Sequence, residues 1–336
     1  MTAMEYRRMG RSGLAVSALC LGCWTFGREV AEPDAHRIIR RFVEAGGTFL
    51  DTADGYALGL SEEITGRAIR GLRDQVVLAT KVFFPMGPGL NERGLSRAHI
   101  MRACDASLKR LGTDYIDLYQ PHCWDMTTPL EETLGALSDM VHQGKVRYIG
   151  VSNFTAWQIM KCVHLSETKG FERIVTLQPQ YSLIDRTIEY EVLPACREEG
   201  VGLIPWSPLG GGFLSGKYRP NEPPPPGSRI AEATEGLEDT WERRAVDRNW
   251  RILDAVGRVA AESGRSYAQV ALNWLLRQSG IVAPIIGART VEQLEDNLGA
   301  VGWELSPEHV SQLSAASAPD EIFLYRFIPH VQRPLA

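Results

Sequence analysis

Residues 76–80 read Val76-Val-Leu-Ala-Thr80, and residues 115–119 read Tyr115-Ile-Asp-Leu-Tyr119. Both runs are short and apolar on both sides instead of alternating. A strand covered by helices on both faces carries that pattern, and such strands belong to parallel sheets. Outward from these two, which extend over 75–80 and 114–120, similar runs occupy 19–22, 48–51, 146–151, 174–178, 201–205 and 282–286. Helical patterns follow or separate them at 33–45, 60–70, 96–110, 129–143, 155–167, 189–199, 247–278 and 290–299. Ser96 suits an N-cap, and Gly46-Gly47, Gly112 and Gly144 suit helix stops. Eight strand–helix units with no break in composition predict one α/β domain over 1–336, a closed (β/α)8 TIM barrel. Periodicity does not show closure, so an open doubly wound sheet is the alternative. Segment 4–17 reads as a hairpin around Gly10-Arg-Ser-Gly13, placed to cap the N-terminal end of the barrel.

One stretch breaks the rhythm. Residues 210–244, with Gly210-Gly-Gly212 and Pro223-Pro-Pro-Pro226, form a long loop after the seventh strand. A loop of this length inside a compact domain is usually functional or disordered. It contains Gly211-Gly-Phe-Leu-Ser-Gly-Lys217, the G-x-x-x-x-G-K core of a P-loop. Tyr218 stands where a magnesium-binding Ser or Thr is required, and prolines follow in place of a helix. Nucleoside triphosphate hydrolysis is rejected on those grounds. The loop amides and Lys217 could still cradle a pyrophosphate.

Composition narrows the class further. Apolar residues make up 44% and charged residues 23% of the chain, as in an enzyme with a sizeable core. The net charge is −5 with both signs interspersed, so nucleic acid is not an expected partner. Cys20 and Cys23 have C-x-x-C spacing, but no second pair completes a zinc site, and they read as buried inert thiols. No segment reads as a signal peptide or a membrane span, so a cytoplasmic protein with no bound metal is expected.

The chemistry of a (β/α)8 barrel sits at the C-terminal ends of its strands. Asp51 ends the second strand, Lys81 the third and His122 the fourth, and Tyr56 follows Asp51 in its loop. Singly, each has an ordinary structural explanation: a turn former, a solvated terminus, a packed ring. Jointly, they suit carbonyl reduction. That reaction takes a hydride from a nicotinamide and a proton at the carbonyl oxygen. A phenol of reference pKa about 10 donates poorly at neutral pH unless its anion is stabilised. An ammonium beside it supplies that, and a buried carboxylate holds the ammonium. Histidine can orient the carbonyl.

At this point the sequence resembles an aldo-keto reductase from Leu14 to about Leu313. The resemblance rests on Gly46-Gly-Thr-Phe-Leu-Asp-Thr-Ala-Asp-Gly-Tyr56, Leu111-Gly-Thr-Asp-Tyr-Ile-Asp-Leu-Tyr119 and Gly144-Lys-Val-Arg-Tyr-Ile-Gly-Val-Ser-Asn-Phe154. Pro284-Ile-Ile-Gly-Ala-Arg-Thr-Val-Glu-Gln-Leu-Glu-Asp-Asn297 adds a fourth motif. The branch that includes bacterial members and potassium-channel β-subunits is the most similar. The family's catalytic tetrad falls on Asp51, Tyr56, Lys81 and His122. The resemblance implies that Ser152, Asn153 and Gln178 hold the carboxamide of the cofactor and that Trp206 stacks on its nicotinamide. It also implies that the loop from Ser207 and Leu209 through Gly211 to Lys217 covers the pyrophosphate.

Two further sets complete the expectations. Gly287-Ala-Arg-Thr290 opens the last barrel helix, and a helix start attracts anions. Arg289 offers a fork suited to a 2′-phosphate, with Gln293 and Asn297 on one face beyond it. No acidic residue is evident there to bind a free ribose hydroxyl, so NADPH is expected over NADH. Trp24, Phe26, Phe84 and Trp124, with Phe83 and Met86, would line an apolar mouth for a small-molecule aldehyde or ketone. The segment Phe323-Leu-Tyr-Arg-Phe-Ile328 could cover that mouth or join a second copy in a homo-oligomer. The alternative to an enzyme is an NADPH-holding regulatory subunit with slow turnover. A metal-dependent barrel hydrolase would need several His and carboxylate ligands at strand ends, and only His122 is well placed.

Overall fold

A computed structural model describes residues 4–232 and 240–331. The chain opens with an antiparallel hairpin of β1 (Tyr6–Arg8) and β2 (Ala15–Ser17). Eight parallel strands follow: β3 (Cys20–Gly22), β4 (Phe49–Asp51), β5 (Val77–Val82), β6 (Ile116–Pro121), β7 (Val146–Ser152), β8 (Ile174–Gln178), β9 (Gly202–Leu203) and β10 (Ile285–Ile286). They pair in the order β10-β3-β4-β5-β6-β7-β8-β9. Backbone bonds from Leu203 N to Gly280 O (2.9 Å), Val282 N to Leu203 O (2.8 Å) and Ile285 N to Pro205 O (2.8 Å) join the two ends. The sheet therefore closes into the barrel that the alternation suggested.

The helices alternate with the strands: α1 (Glu32–Glu44), α2 (Leu60–Ala68), α3 (Arg97–Leu111), α4 (Leu130–His142), α5 (Ala156–Lys169) and α6 (Val192–Glu199). After β9 come the short α7 (Trp241–Arg244), then α8 (Asp247–Ser263) and α9 (Tyr267–Leu276). The chain ends with α10 (Val291–Leu298), α11 (Pro307–Ala316) and α12 (Phe323–Val331). Ser96 caps α3 through the His99 amide, and left-handed Gly112 ends it. The continuous helix expected over 247–278 is two helices. Gly264 turns left-handed at φ 64°, and Ser266 and Gln269 form a capping box that starts a new axis. The two terminal helices, α11 and α12, lie beyond the helical patterns read from the sequence.

Side-chain alternation divides the core into two. Cys20, Phe49, Ala79, Leu118 and Ile204 fill the barrel interior, joined from below by Met9 and Val16 of the hairpin. The hairpin thus plugs the N-terminal end. Gly10 is required there: its φ is +54°, and a Cβ would stand 2.4 Å from the Val175 carbonyl oxygen. A second, larger cluster lies between the strands and the helices. Cys20 and Cys23 are wholly buried, and burial pushes the Cys23 thiol up to about 12. Among the described residues, no helix is long and apolar enough to cross a membrane.

The loop expected over 210–244 is partly ordered by a 3-10 turn at Gly210–Ser215 and by α7, while 233–239 lie outside the described residues. Phe213, Tyr218, Trp241 and Trp250 pack ring against ring and fasten both of its ends onto α8.

Candidate active site

The inward face of each strand continues to its C-terminal end, because side chains two apart share a face. Phe49 is in the interior, so Asp51 points inward as well; Ala79 carries Lys81, Leu118 carries Gln120 and His122, and Ile204 carries Trp206. Pairing persists past the strand ends, through Thr52 N to Ala79 O (2.9 Å) and His122 N to Val82 O (3.0 Å). Four separate strand ends are thereby held in register around one cavity of about 530 Å³.

Lys81 is wholly buried behind the cavity wall, against Asp51 and Tyr56, which line it. Its Nζ donates to Asp51 Oδ2 at 2.6 Å, to the Thr52 carbonyl at 2.8 Å and to Tyr56 Oη at 3.1 Å. Three donors thus meet three acceptors. Gln178 Nε2 donates to the other Asp51 oxygen at 2.9 Å. Burial pulls the ammonium down, but Asp51 and the phenol more than restore it, and Lys81 remains charged. Burial pushes the Tyr56 phenol above its ordinary value, and Lys81 offsets only part of that. His122 meets Tyr56 and Phe84 edge-on at 5.6 and 4.8 Å between centroids. Burial, and then Lys81, hold its imidazole well below its ordinary value, so it is neutral at pH 7. Its Nδ1 has no hydrogen-bond partner in the protein.

Beside this group, Trp206 Nε1 donates to Asn153 Oδ1 at 3.0 Å, and Asn153 Nδ2 donates to the His122 carbonyl at 3.0 Å. Ser152 Oγ donates to the Gln178 carbonyl at 3.0 Å. Asn153 and Ser207 are both left-handed, at φ 57° and 53°, a strained backbone for non-glycine residues. Ser207 Oγ accepts from the Gly211 amide at 3.0 Å. Gly211 and Gly287 line the cavity with these residues, and Leu209 accepts from the Gly212 amide at its edge.

Arg289 lies at the outer end. It donates to the Gly227 carbonyl at 2.6 Å, and its backbone amide donates to Gln293 Oε1 at 2.8 Å. Its Nη2 is buried without a hydrogen bond. Asn297 Nδ2 is engaged with the Gly287 carbonyl at 3.1 Å. Lys217 is lowered by burial and by Arg289, which places the two cations near each other.

The aromatic wall differs from expectation. Trp24 and Phe84 line the cavity; Phe26 and Trp124 do not. Phe26 is fully buried in the layer between strands and helices. Trp124 packs edge-on against Phe154 and Trp157 instead. Phe83 and Met86 are also absent from the lining. The C-terminal helix does not cover the mouth: Tyr325 stacks on Tyr190 and bonds Glu191 before α6, leaving Phe323, Leu324, Phe327 and Ile328 exposed.

Several charged residues escaped the sequence reading, Arg244 of the cavity lining among them. Arg28 and Arg229 both line the cavity, and their guanidinium carbons lie 3.8 and 4.1 Å from the Trp24 ring centroid. Glu29 stands 3.7 Å from both Arg28 and Arg289. The sequence reading finds no acidic residue placed to bind a free ribose hydroxyl; Glu29, which it does not consider, reaches Arg289 from the first strand–helix loop. No spacing rule could have placed a residue at 29 beside one at 289.

The sequence profile of the aldo/keto reductase family matches residues 18–318. The chain belongs to that family. It is 42% identical over 322 residues to YrpG, an uncharacterized oxidoreductase of Bacillus subtilis, covering 93% of this chain and 95% of that one. The versiconal hemiacetal acetate reductase of Aspergillus parasiticus is 36% identical, covering 95% and 98%. A probable voltage-gated potassium channel subunit beta of Oryza sativa is 37% identical, covering 96% and 100%. The protein is thus an oxidoreductase of the aldo/keto reductase type, a family whose members generally use a nicotinamide cofactor.

Proposed function

We propose that this aldo/keto reductase reduces a small-molecule aldehyde or ketone to the alcohol, with NADPH as hydride donor and Tyr56 as proton donor. The observation that carries the reading is the 3.1 Å contact between Tyr56 Oη and a fully buried Lys81 Nζ. NADPH, when bound, supplies the hydride to the carbonyl carbon. The carbonyl oxygen takes the proton of Tyr56, and the ammonium at 3.1 Å stabilises the phenolate left behind. Asp51 keeps Lys81 in place and charged. Neutral His122, with an unpartnered ring nitrogen, orients the carbonyl oxygen toward Tyr56. Trp24 and Phe84 bound the substrate.

The residues fit a dinucleotide. Ser152 and Asn153, with Gln178, suit the carboxamide, and Trp206 the nicotinamide face. The amides near Gly211, with Ser207, Leu209, Lys217 and Arg229, suit the pyrophosphate. Arg289 has a buried guanidinium nitrogen that makes no hydrogen bond and stands 3.7 Å from Glu29; it suits the 2′-phosphate, and Gln293 and Asn297 adjoin it.

Tyr56→Phe tests the assignment. It should bind NADPH as the parent does and lose carbonyl reduction by about 10²–10⁴-fold, the usual worth of a positioned acid. A variant retaining near-parent kcat would remove Tyr56 from the role. The potassium-channel relative favours a second reading, an NADPH-holding regulatory subunit. Negligible turnover across a panel of aldehydes, with NADPH bound tightly, would select it.

A further inference from the structure

The inward-facing Asp51, Lys81, His122 and Trp206 of the strand ends are used by the site, but Asp54 faces the other way. Three residues after Asp51, it points out of the barrel into the layer between strands and helices. It is wholly buried, and neither carboxyl oxygen completes a hydrogen bond with another group of the protein, although the Gly55 amide faces it. Around it stand Glu62 of α2, Arg110 of α3, Lys81 of β5 and Tyr119 of β6. Glu62 is equally buried. It accepts from Thr80 Oγ1 at 2.6 Å and from Arg110 Nε at 2.6 Å. One guanidinium thus serves two buried carboxyls, and the one it bonds is Glu62.

A carboxylate with neither water nor a partner is expensive, so a group so placed keeps its proton. Burial, and then Glu62, push the Asp54 carboxyl up to about 8. The same residue starts the turn that presents Tyr56. Its amide donates to the Lys81 carbonyl at 3.1 Å, and the Tyr56 amide donates to Ala53 at 3.2 Å. Immediately beyond, Ala57 and Leu58 are left-handed at φ 48° and 53°. Non-glycine residues in that region persist only where the surroundings hold them.

We propose that Asp54 is a positioning residue for Tyr56: as a neutral group beside Glu62 it lets the 54–59 turn stay packed in this dry layer, so that the phenol stays against Lys81. Ionisation places a second negative charge in the same dry layer. The strained turn yields, Asp54 moves toward water, and Tyr56 moves away from the ammonium. Reduction is then lost at alkaline pH through Asp54, before the phenol itself titrates.

The inference rests on Tyr56 being the proton donor, and its test separates the two. The measurement is kcat for carbonyl reduction from pH 6 to 10 in the parent, Asp54→Asn and Glu62→Gln. The parent should lose activity with a midpoint near 8. Asp54→Asn, which mimics the neutral acid, should move the midpoint up by about one unit or more. Glu62→Gln removes the like charge and should move it down. A merely structural role would shift both variants alike or neither, and either result overturns the proposal. Thermal melts supply a readout independent of turnover. A carboxyl whose folded value lies above its unfolded value of about 3.9 binds a proton that the unfolded chain releases. Its stabilisation is full below about 4 and is lost as pH rises to about 8. The parent Tm should therefore fall more steeply from pH 5 to 8 than that of Asp54→Asn; parallel slopes would overturn the proposal. A parent that melts as expected yet reduces no carbonyl would count against the proposed function and leave the buried proton standing.

Discussion

Lys81→Met separates the structural from the chemical role of the buried cation. The substitution keeps the length of the side chain and removes three hydrogen bonds, to Asp51, Thr52 and Tyr56. Asp51, 2% exposed, is left with Gln178 as its remaining side-chain donor. Removing one member of a buried ion pair typically costs about 3–5 kcal/mol, because the other charge stays buried and uncompensated. Unfolding entropy of about 2.1 cal/mol/K per residue, over 336 residues, converts each kcal/mol into about 1.4 °C. Scanning calorimetry at pH 7 should therefore show Tm lowered by about 4–7 °C. Lys81→Met/Asp51→Asn removes both charges, while the Asn oxygen can still accept from Gln178; it should recover more than half of the loss. Neither variant should recover turnover, because Tyr56 has lost its ammonium in both. A double variant as unstable as the single, or a single variant within 1 °C of the parent, would refute the description of Lys81–Asp51 as a buried pair.

Four other outcomes follow from the geometry of the site and its surroundings. Arg289→Ala should weaken NADPH far more than NADH, read by quenching of tryptophan fluorescence; equal weakening would detach Arg289 from the 2′-phosphate. Glu29→Gln should tighten NADPH by about two- to fivefold, the size of a partly exposed ion pair worth up to ~1 kcal/mol, and weaker binding would show that Glu29 contacts the cofactor favourably. Phe26→Ala should destabilise by about 3–5 kcal/mol, as for a buried ring, with KM little changed in the folded fraction. Phe84→Ala should raise KM at nearly unchanged Tm. The reverse pattern would contradict their placement in the core and at the mouth.

What the sequence made legible follows from strand register. Once 76–80 and 115–119 are read as barrel strands, inward side chains recur every second residue, and Asp51, Lys81 and His122 are carried to one mouth with no tertiary information beyond closure. Register stops being informative where the chain leaves the ladder. Trp24 and Phe26 are both aromatic and two apart, and alternation would put them on one face. Past Gly22 the backbone turns, with Phe26 N donating to Cys23 O at 3.1 Å, and the second ring is delivered to the core. Trp124, two residues after His122, turns outward for the same reason. The helix break at Gly264 was present as a left-handed stop followed by Ser266 and Gln269, but a long amphipathic period outweighed it in the reading. Glu29, Arg229 and Asp54 are a different case. The first two meet the site across loops remote in sequence, and the third carries no signal until α2 and α3 close over it and deny it water. A barrel sequence thus declares the residues that its strands point inward, while those that tune the site from loops and from the outer layer emerge only when the layers are assembled.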